Sequence, residues 1–495
     1  MNYEEILNEL KPSQEEIDSV NETTDKVINF INKTCREENI PAEAVAVGSV
    51  AKNTWLSGKS DIDIFIRFPL DTDMDELKEK GLYLGYKTND ALHGEASEHY
   101  ASHPYLTCEI DGNEVDIVPC YKIQDGSQLQ SAVDRTILHT EYIIEHLEKS
   151  QEDEVLLLKR FMDSVGTYGS EFKTGGFAGY LCELLILKYG TFEDTLRAAR
   201  NWKFHTEIDL EAYGTSNKKI FKNDPLVFID PTDENRNVAA ALRVERMVDF
   251  VMASRNYINL IDCPNDLDDS NLTEEERKEK ILKYFKPLVK DRFLNRSVDE
   301  ISNDFIDEFK DRETQTLLIT IPIPQMNADA LHPQLLKTLE SISHKLDLEE
   351  FSVYRHAYWT DEETIVVFII ELNVFKQTKY YIHEGPKVWN SLAYNNFLDR
   401  WTEESIYHRD DFIVFERERP FKTAMDLIKY LLDEENIYLI KVGKNIKEAL
   451  CNDYELYEID EFLSNIDSLI LDEEVQMDFL NTLDDLLRPG QYLKR

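Results

Sequence analysis

Positive charge is what this sequence has least of for its size: 55 Lys and Arg stand against 97 Asp and Glu in 495 residues, a formal net charge of −42. Such a field repels nucleic acid at long range, because attraction to phosphate normally carries that affinity. A nucleic-acid enzyme is compatible with this balance only where basic residues cluster or a divalent cation sits at the site. Cysteine is sparse and scattered: Cys35, Cys108, Cys120, Cys182, Cys263 and Cys451 form no CxxC pair, which argues for reduced structural thiols rather than a zinc site or disulfide framework. No apolar run approaches the roughly 20 residues that span a bilayer. The opening "MNYEEILNEL" has neither a basic n-region nor an apolar h-region, so a soluble, cytoplasmic protein with no membrane partner is expected. No internal repeat or low-complexity segment interrupts the chain.

Hydrophobic residues at 42% and aromatics at 11% are enough for well-packed cores, and the length exceeds one ordinary core. Residues 1 to about 40 read as one or two helices, followed by mixed strands and helix to about Lys122. From Ser131 to about Arg255 the signal is mostly helical, including "GFAGYLCELLILKYG" and "NVAAALRVERMVDFVMAS". The acidic "DCPNDLDDSNLTEEERKEK" marks a boundary, and a basic helix is expected between Arg277 and Arg292. "TLLITIPIP", "LHPQLLKTLESISHKL", "EFSVYRHAYW" and "ETIVVFIIELNVF" then give a βαββ order, compatible with a small sheet carrying helices on one face. The aromatic "FSVYRHAYW" would pack one face into the core and leave the other available for stacking on RNA.

The chemistry concentrates in "VGSVAKNTWLSGKSDIDIFIRFP", residues 47–69. Asp61 and Asp63 are two apart in a strand-like apolar run, so both side chains leave the same face while Ile62 faces the other. In "TCEIDGNEVDIVPCY" two strand-like runs flank the turn "DGN", and Asp116 on the second arm falls beside the first pair on a neighbouring strand. Three converging carboxylates need hard cations to offset their repulsion and lost hydration, and Mg²⁺ favours such oxygen ligands. Gly48 permits close backbone approach, and Ser49 opens a short helix expected to run through Trp55, whose N–H groups favour phosphate. With the basic Lys52, the combination fits nucleotidyl transfer. Taken singly, a Gly-Ser step is more often a turn, a DxD pair a solvated edge, and "GGFAGYLCELLI" a tightly packed helix rather than a second phosphate loop.

In the order "GSVAKNTWLSGKSDIDIFIRFP", "HPYLTCEIDGNEVDIVPCYKI", "SAVDRTILHTEYI", "GTYGSEFKTGGFAGYLCELLILKYGTFEDTLRAARNW" and "DPTDENRNVAAAL", the chain resembles the archaeal-type (class I) CCA-adding enzymes, tRNA nucleotidyltransferases of the DNA polymerase β-like superfamily. The later "YYIHEGPKVWN" looks like the same family's downstream Gly-Pro element. The resemblance implies an α+β multidomain fold: a polymerase β-like head over residues 1–130, a helical neck over 131–260, an RNA-recognition-like α+β body over 261–400, part of which pairs with the C-terminal segment, and a tail over 401–495. It implies that Asp61, Asp63 and Asp116 hold Mg²⁺, Asp61 standing where relatives often have glutamate. It places Gly48, Ser49, Lys52 (usually arginine), His139, Lys159 and Tyr168 at the nucleotide's triphosphate, and Arg236 at the incoming base, on a helix beginning at "NVAAAL". The substrates implied are CTP, ATP and tRNA, the acceptor end and T arm lying on body and tail, with homodimerisation through the tail left open. The alternatives are a poly(A) polymerase or oligoadenylate-type transferase, against which the neck and "ENRNVAA" segments argue, and a non-catalytic RNA-binding protein, against which the intact aspartates argue.

Overall fold

The computed structural model describes residues 3–100, 104–216, 218–262, 273–324, 326 and 328–493. Cys263 and most of the acidic boundary stretch lie outside them. The chain divides into two compact units, residues 1–289 with 490–495, and residues 290–489. Among the described residues no helix is long and apolar enough to cross a membrane.

The first unit opens with α1 (Glu4–Leu10) and α2 (Gln14–Glu38), the latter started by a capping box between Ser13 and Glu16. Strands β1 (Glu43–Val47), β2 (Ile62–Phe68), β3 (Glu95–Tyr100), β4 (Pro104–Ile110) and β5 (Asn113–Tyr121) form one sheet, in the order β1-β2-β5-β4-β3. Only β2 and β5 run parallel; β4 and β5 make the hairpin expected from "DGN". Between the strands lie α3 (Gly48–Ala51) and α4 (Met74–Leu92). Strand alternation sorts the two faces of this sheet. Ile62, Ile64, Ile66, Val115 and Ile117 pack with Val20, Val27, Leu77 and Leu84 of α2 and α4. Phe65, Val118 and Cys120 point the other way, toward Ile137 of α5 (Arg135–His146).

Beyond α5, the helices α6 (Lys149–Ser164), α7 (Gly179–Tyr189), α8 (Phe192–Ala199), α9 (Val244–Asp262) and α10 (Glu274–Lys283) share a core centred on Phe161, Phe177, Phe192, Phe250 and Tyr257. Within this region the helical expectation fails between α8 and α9. A small sheet of β6 (Thr206–Ile208), β7 (Leu226–Asp230) and β8 (Asp233–Asn237) intervenes, because "LVFI" is a short buried β-branched and aromatic run bounded by Pro225 and Pro231. Residues 238–241 are turn, so no helix begins at "NVAAAL"; α9 starts at Val244. The expected helix from Arg277 to Arg292 likewise stops at Lys283.

The second unit contains α11 (Val298–Asp311), β9 (Gln315–Pro322), α12 (Ala328–Leu348), β10 (Val353–Thr360) and β11 (Ile365–Leu372). A three-stranded sheet of β12 (Tyr380–Lys387), β13 (Tyr407–Arg409) and β14 (Phe412–Glu418), with α13 (Ser391–Arg400), follows before α14 (Ala424–Leu432), α15 (Lys447–Asn452), β15 (Glu455–Glu458), α16 (Ile459–Ser464), α17 (Ile466–Leu469) and α18 (Glu473–Leu487). The larger sheet runs β10-β11-β9-β15, all antiparallel, the arrangement of a βαββαβ ferredoxin-like layer with the smaller sheet inserted. Leu317, Ile319, Phe368 and Ile370 meet α12 and α14 on one face. Leu318, Trp359, Val367 and Ile369 meet Phe305, Phe462 and Phe479 on the other. Both faces are therefore core at the centre of the sheet, where α11, α16 and α18 cover one side; on the edge strand β10 Trp359 and Thr360 are buried while Tyr354 and His356 remain exposed.

Candidate active site

Parallel pairing of β2 with β5 sets Asp63 directly opposite Asp116. Both belong to the face that carries Phe65 and Val118, away from the main core, because each lies an even number of residues from them along its strand. Asp61 precedes β2 and is exposed. Thr107 on β4 pairs with Asp116 and donates its hydroxyl to Asp116 Oδ1 at 2.6 Å. Burial, then the neighbouring charges of Asp116 and Asp61, push the Asp63 carboxyl up to about 7, against a lowering influence of Lys52. Burial chiefly raises Asp116 as well, opposed by Thr107. Among the described residues no group of three or more His, Cys, Asp or Glu closes to a ligand sphere; the three carboxylates act on one another through their charges, as expected of like groups in a desolvated cleft.

Gly48 begins α3 with φ +72°, and a Cβ there would lie 1.9 Å from Asp63 Oδ2. The glycine is thus required by the carboxylate of this chain, where the sequence suggested only close approach to a ligand. Its N–H donates to Thr140 Oγ1 on α5 at 3.2 Å. The helix that Ser49 was expected to open through Trp55 is a single turn ending at Ala51, with Asn53 left-handed at φ +55°.

Lys52 and Lys159 meet behind this loop. Lys52 Nζ donates to Glu183 Oε2 at 2.6 Å, and Thr54 Oγ1 donates to Glu183 Oε1 at 2.6 Å. Lys159 is buried, not on a solvated face: its Nζ donates to the Thr54 carbonyl at 2.7 Å and stands 3.7 Å from Glu183 Oε1. Burial lowers the Lys159 ammonium, opposed by Glu183. For Glu183 burial works against ionisation, but the two lysines and Thr54 hold it below the usual carboxylate range. Tyr168 is half-buried near the same place: a Cβ on Gly179 would lie 3.2 Å from its hydroxyl and 3.7 Å from Lys159 Nζ.

His139 and Arg236 converge on Asp230, which no sequence signal singled out. Asp230 is wholly buried at the end of β7 and accepts from His139 Nε2 (2.9 Å), Arg236 Nη1 (2.8 Å), and the Thr232 N–H (2.9 Å) and hydroxyl (2.8 Å). Burial opposes its ionisation, yet these donors, His139 foremost, hold it well below the carboxylate range. Burial lowers the His139 imidazole, which stacks on Tyr180 with centroids 3.9 Å apart. Lys52 Nζ lies 5.9 Å from the centroid of that same Tyr180 ring. The ten sequence-selected residues therefore fall in three linked groups: the carboxylates with Gly48 and Ser49, the lysines with Glu183 and Tyr168, and His139 with Arg236. Two further members, Asp230 and Glu183, could have been sought as acids in apolar runs, "VFID" and "LCELLI".

The family described as "Nucleotidyltransferase domain" matches residues 28–139, "tRNA nucleotidyltransferase, second domain" matches 153–263, and "CCA-adding enzyme, C-terminal domain" matches 312–458. A CCA-adding enzyme of Methanothermobacter thermautotrophicus is 42% identical over 100% of this chain and 99% of its own length. One of Methanocaldococcus jannaschii is 34% identical over 89% of this chain and 92% of its own. Among solved structures, Cid1 poly(U) polymerase with Mg 3′-dATP bound is similar to 57% of this chain and covers 97% of its own, at 14% identity and TM-score 0.45. Identity of 42% from end to end, with head, middle and C-terminal families all matched in order, means that the chain belongs to the CCA-adding enzymes.

Proposed function

We propose that the cleft beside β2 and β5 is where this chain carries out its family's reaction, extension of the tRNA 3′ end with C, C and A from CTP and ATP and release of pyrophosphate. Asp61, Asp63 and Asp116 would hold divalent cations there, and Mg²⁺ is the fitting one. The observation that carries the reading is Asp63 set opposite Asp116 across a parallel strand pair, its carboxyl raised to about 7 by burial and two like charges. An all-carboxylate oxygen set, desolvated at Asp63 and Asp116 and with that much uncompensated repulsion, suits a hard cation. When bound, Mg²⁺ supplies charge neutralisation at the phosphates and lowers the barrier to deprotonating the attacking ribose hydroxyl.

The chain's own residues do the rest. Thr107 fixes the rotation of Asp116 by holding one of its two oxygens. Ser49 presents its backbone N–H and hydroxyl, and Lys52 a cation, toward the triphosphate, the Gly48 N–H being taken by Thr140. Asp230 orients both His139 and Arg236, leaving the remaining guanidinium donors of Arg236 for the acceptor edge shared by cytosine and adenine and lacking in uracil and guanine. Residues 1–130 and 131–260 act as head and neck around the nucleotide, and 261–400 and 401–495 as body and tail for the acceptor end and T arm, in the cytoplasm.

The test uses purified protein, Mg²⁺, labelled CTP or ATP and tRNA lacking its 3′ end, with product sequencing. Wild type is expected to add C, C and A, and Asp63→Ala or Asp116→Ala to lose addition of both nucleotides while tRNA affinity changes little. Turnover by either variant near the wild-type rate would overturn the carboxylate assignment.

A further inference from the structure

Glu183 is the one charged side chain of α7 between Gly179 and Leu187, "GYLCELLIL", and it is wholly buried. A lone buried carboxylate in an apolar helix is costly unless its partners matter. Its closest cation is not the buried Lys159 at 3.7 Å but Lys52 at 2.6 Å, on the loop after Gly48 and Ser49. Lys159 shares this carboxylate at longer range and has a further acceptor in the Thr54 carbonyl at 2.7 Å, so the cation that hydrogen-bonds Glu183 at short range is Lys52. Lys52, meanwhile, stands within the field of Asp63 and of His139. An ammonium on a four-carbon stem within the field of the Asp63 carboxylate would pair with it unless held elsewhere.

We infer that Glu183 is a positioning residue that holds the Lys52 ammonium off the Asp63 carboxylate and aims it at the nucleotide's triphosphate. The inference rests on the reading of Lys52 as a triphosphate contact. One Lys52 N–H is committed to Glu183 Oε2, which leaves two donors of the ammonium for phosphate oxygens. The Tyr180 face limits the swing of the stem, and Thr54 fixes the rotation of the carboxylate through its other oxygen. Asp61, Asp63 and Asp116 then stay free for cations.

The experiment is a double-mutant cycle of Glu183→Gln with Lys52→Ala, reading KM and kcat for CTP and for ATP and the Mg²⁺ concentration at half-maximal rate, with thermal melts of each variant. A neutral amide in place of the Glu183 carboxylate removes the charge that holds the ammonium and so releases it. Glu183→Gln is expected to raise KM for both nucleotides about tenfold, the worth of one charge-assisted hydrogen bond, and to raise the Mg²⁺ requirement as Lys52 competes for Asp63. On the Lys52→Ala background it should add no further rise in KM. Should Glu183→Gln fail to fold, Glu183→Asp keeps the charge and shortens the reach, and is expected to show the same coupled KM effect at smaller size. Equal factors in both backgrounds, or a wild-type KM and Mg²⁺ requirement in the Glu183 variants, would overturn the inference. An unchanged KM in Lys52→Ala alone would instead remove the reading of Lys52 on which it stands.

Discussion

A methyl group on Gly48 would fall inside the Asp63 carboxylate, and the backbone there is already left-handed, so two separate penalties meet at one position. Gly58 separates them: its φ is +74°, but a Cβ there would have nothing within 4 Å. Alanine at either glycine should cost about 1–2 kcal/mol of stability from the left-handed backbone. Gly48→Ala should in addition displace Asp63 and lower kcat at least about tenfold beyond Gly58→Ala, since small misplacements at reacting centres cost rate steeply. Denaturant titration and single-turnover rates of the two variants check this, and equal rates would show that Asp63 tolerates displacement. At this scale the facing of Asp63 and Asp116 was legible because strand alternation fixes a face from sequence alone, whereas Asp61, read as a strand residue, lies just before β2. Asp230 and Glu183 were not legible, because a buried acid's partners come from elements more than 90 residues away: His139 for the one, Lys52 for the other.

Among elements, the hairpin β4–β5 and the helices α2, α7 and α18 were readable from periodicity and turn chemistry, whereas the β6–β8 sheet was hidden in a region of helical signal. Four apolar residues of β7 fit a buried strand or a buried helix turn equally well until the prolines on either side are given weight. The loop between α3 and β2 is held by an element the sequence made plain for another reason. Glu16, the capping-box residue of α2, also accepts the Ser57 hydroxyl at 2.9 Å and the Gly58 N–H at 3.0 Å. Its carboxyl is lowered to about 2, first by the Ser13 N–H and then by the Ser57 hydroxyl. An unfolded glutamate titrates near pH ~4.3. A carboxyl depressed in the folded state contributes stability that is fully present above the unfolded value and lost as pH falls from there through the folded value. Glu16→Gln should therefore lower the melting temperature at neutral pH, and the gap to wild type should close between about pH 4.5 and about pH 2. A gap constant across that window would mean that Glu16 acts by shape and not by charge.

For the molecule as a whole, the question posed by a net charge of −42 is how it holds a polyanion at all. Some of its cations are already engaged internally. Arg292, expected at the end of a basic helix, instead bonds to Glu308 and Asp484 and stacks over Phe305 within its own unit. Contacts to tRNA must then be short-range ones made by local clusters, while the summed charge opposes approach. These two effects answer to salt with opposite sign. Screening removes the long-range repulsion first, and it is largely gone beyond a Debye length of about 8 Å at roughly 0.15 M monovalent salt. Counterion release from the contacted phosphates weakens binding at every salt concentration, in proportion to the number of contacts. The affinity for tRNA should thus be nearly flat at low salt and fall with a linear logarithmic slope above about 0.15 M. Stability of the free protein should rise over the same series, because the 97 acidic side chains repel one another in the compact state and salt relieves them. Tethered-tRNA binding and thermal melts in one KCl series measure both. An affinity that climbs with salt throughout would mean that the tRNA is held without phosphate contacts, by base stacking and shape alone.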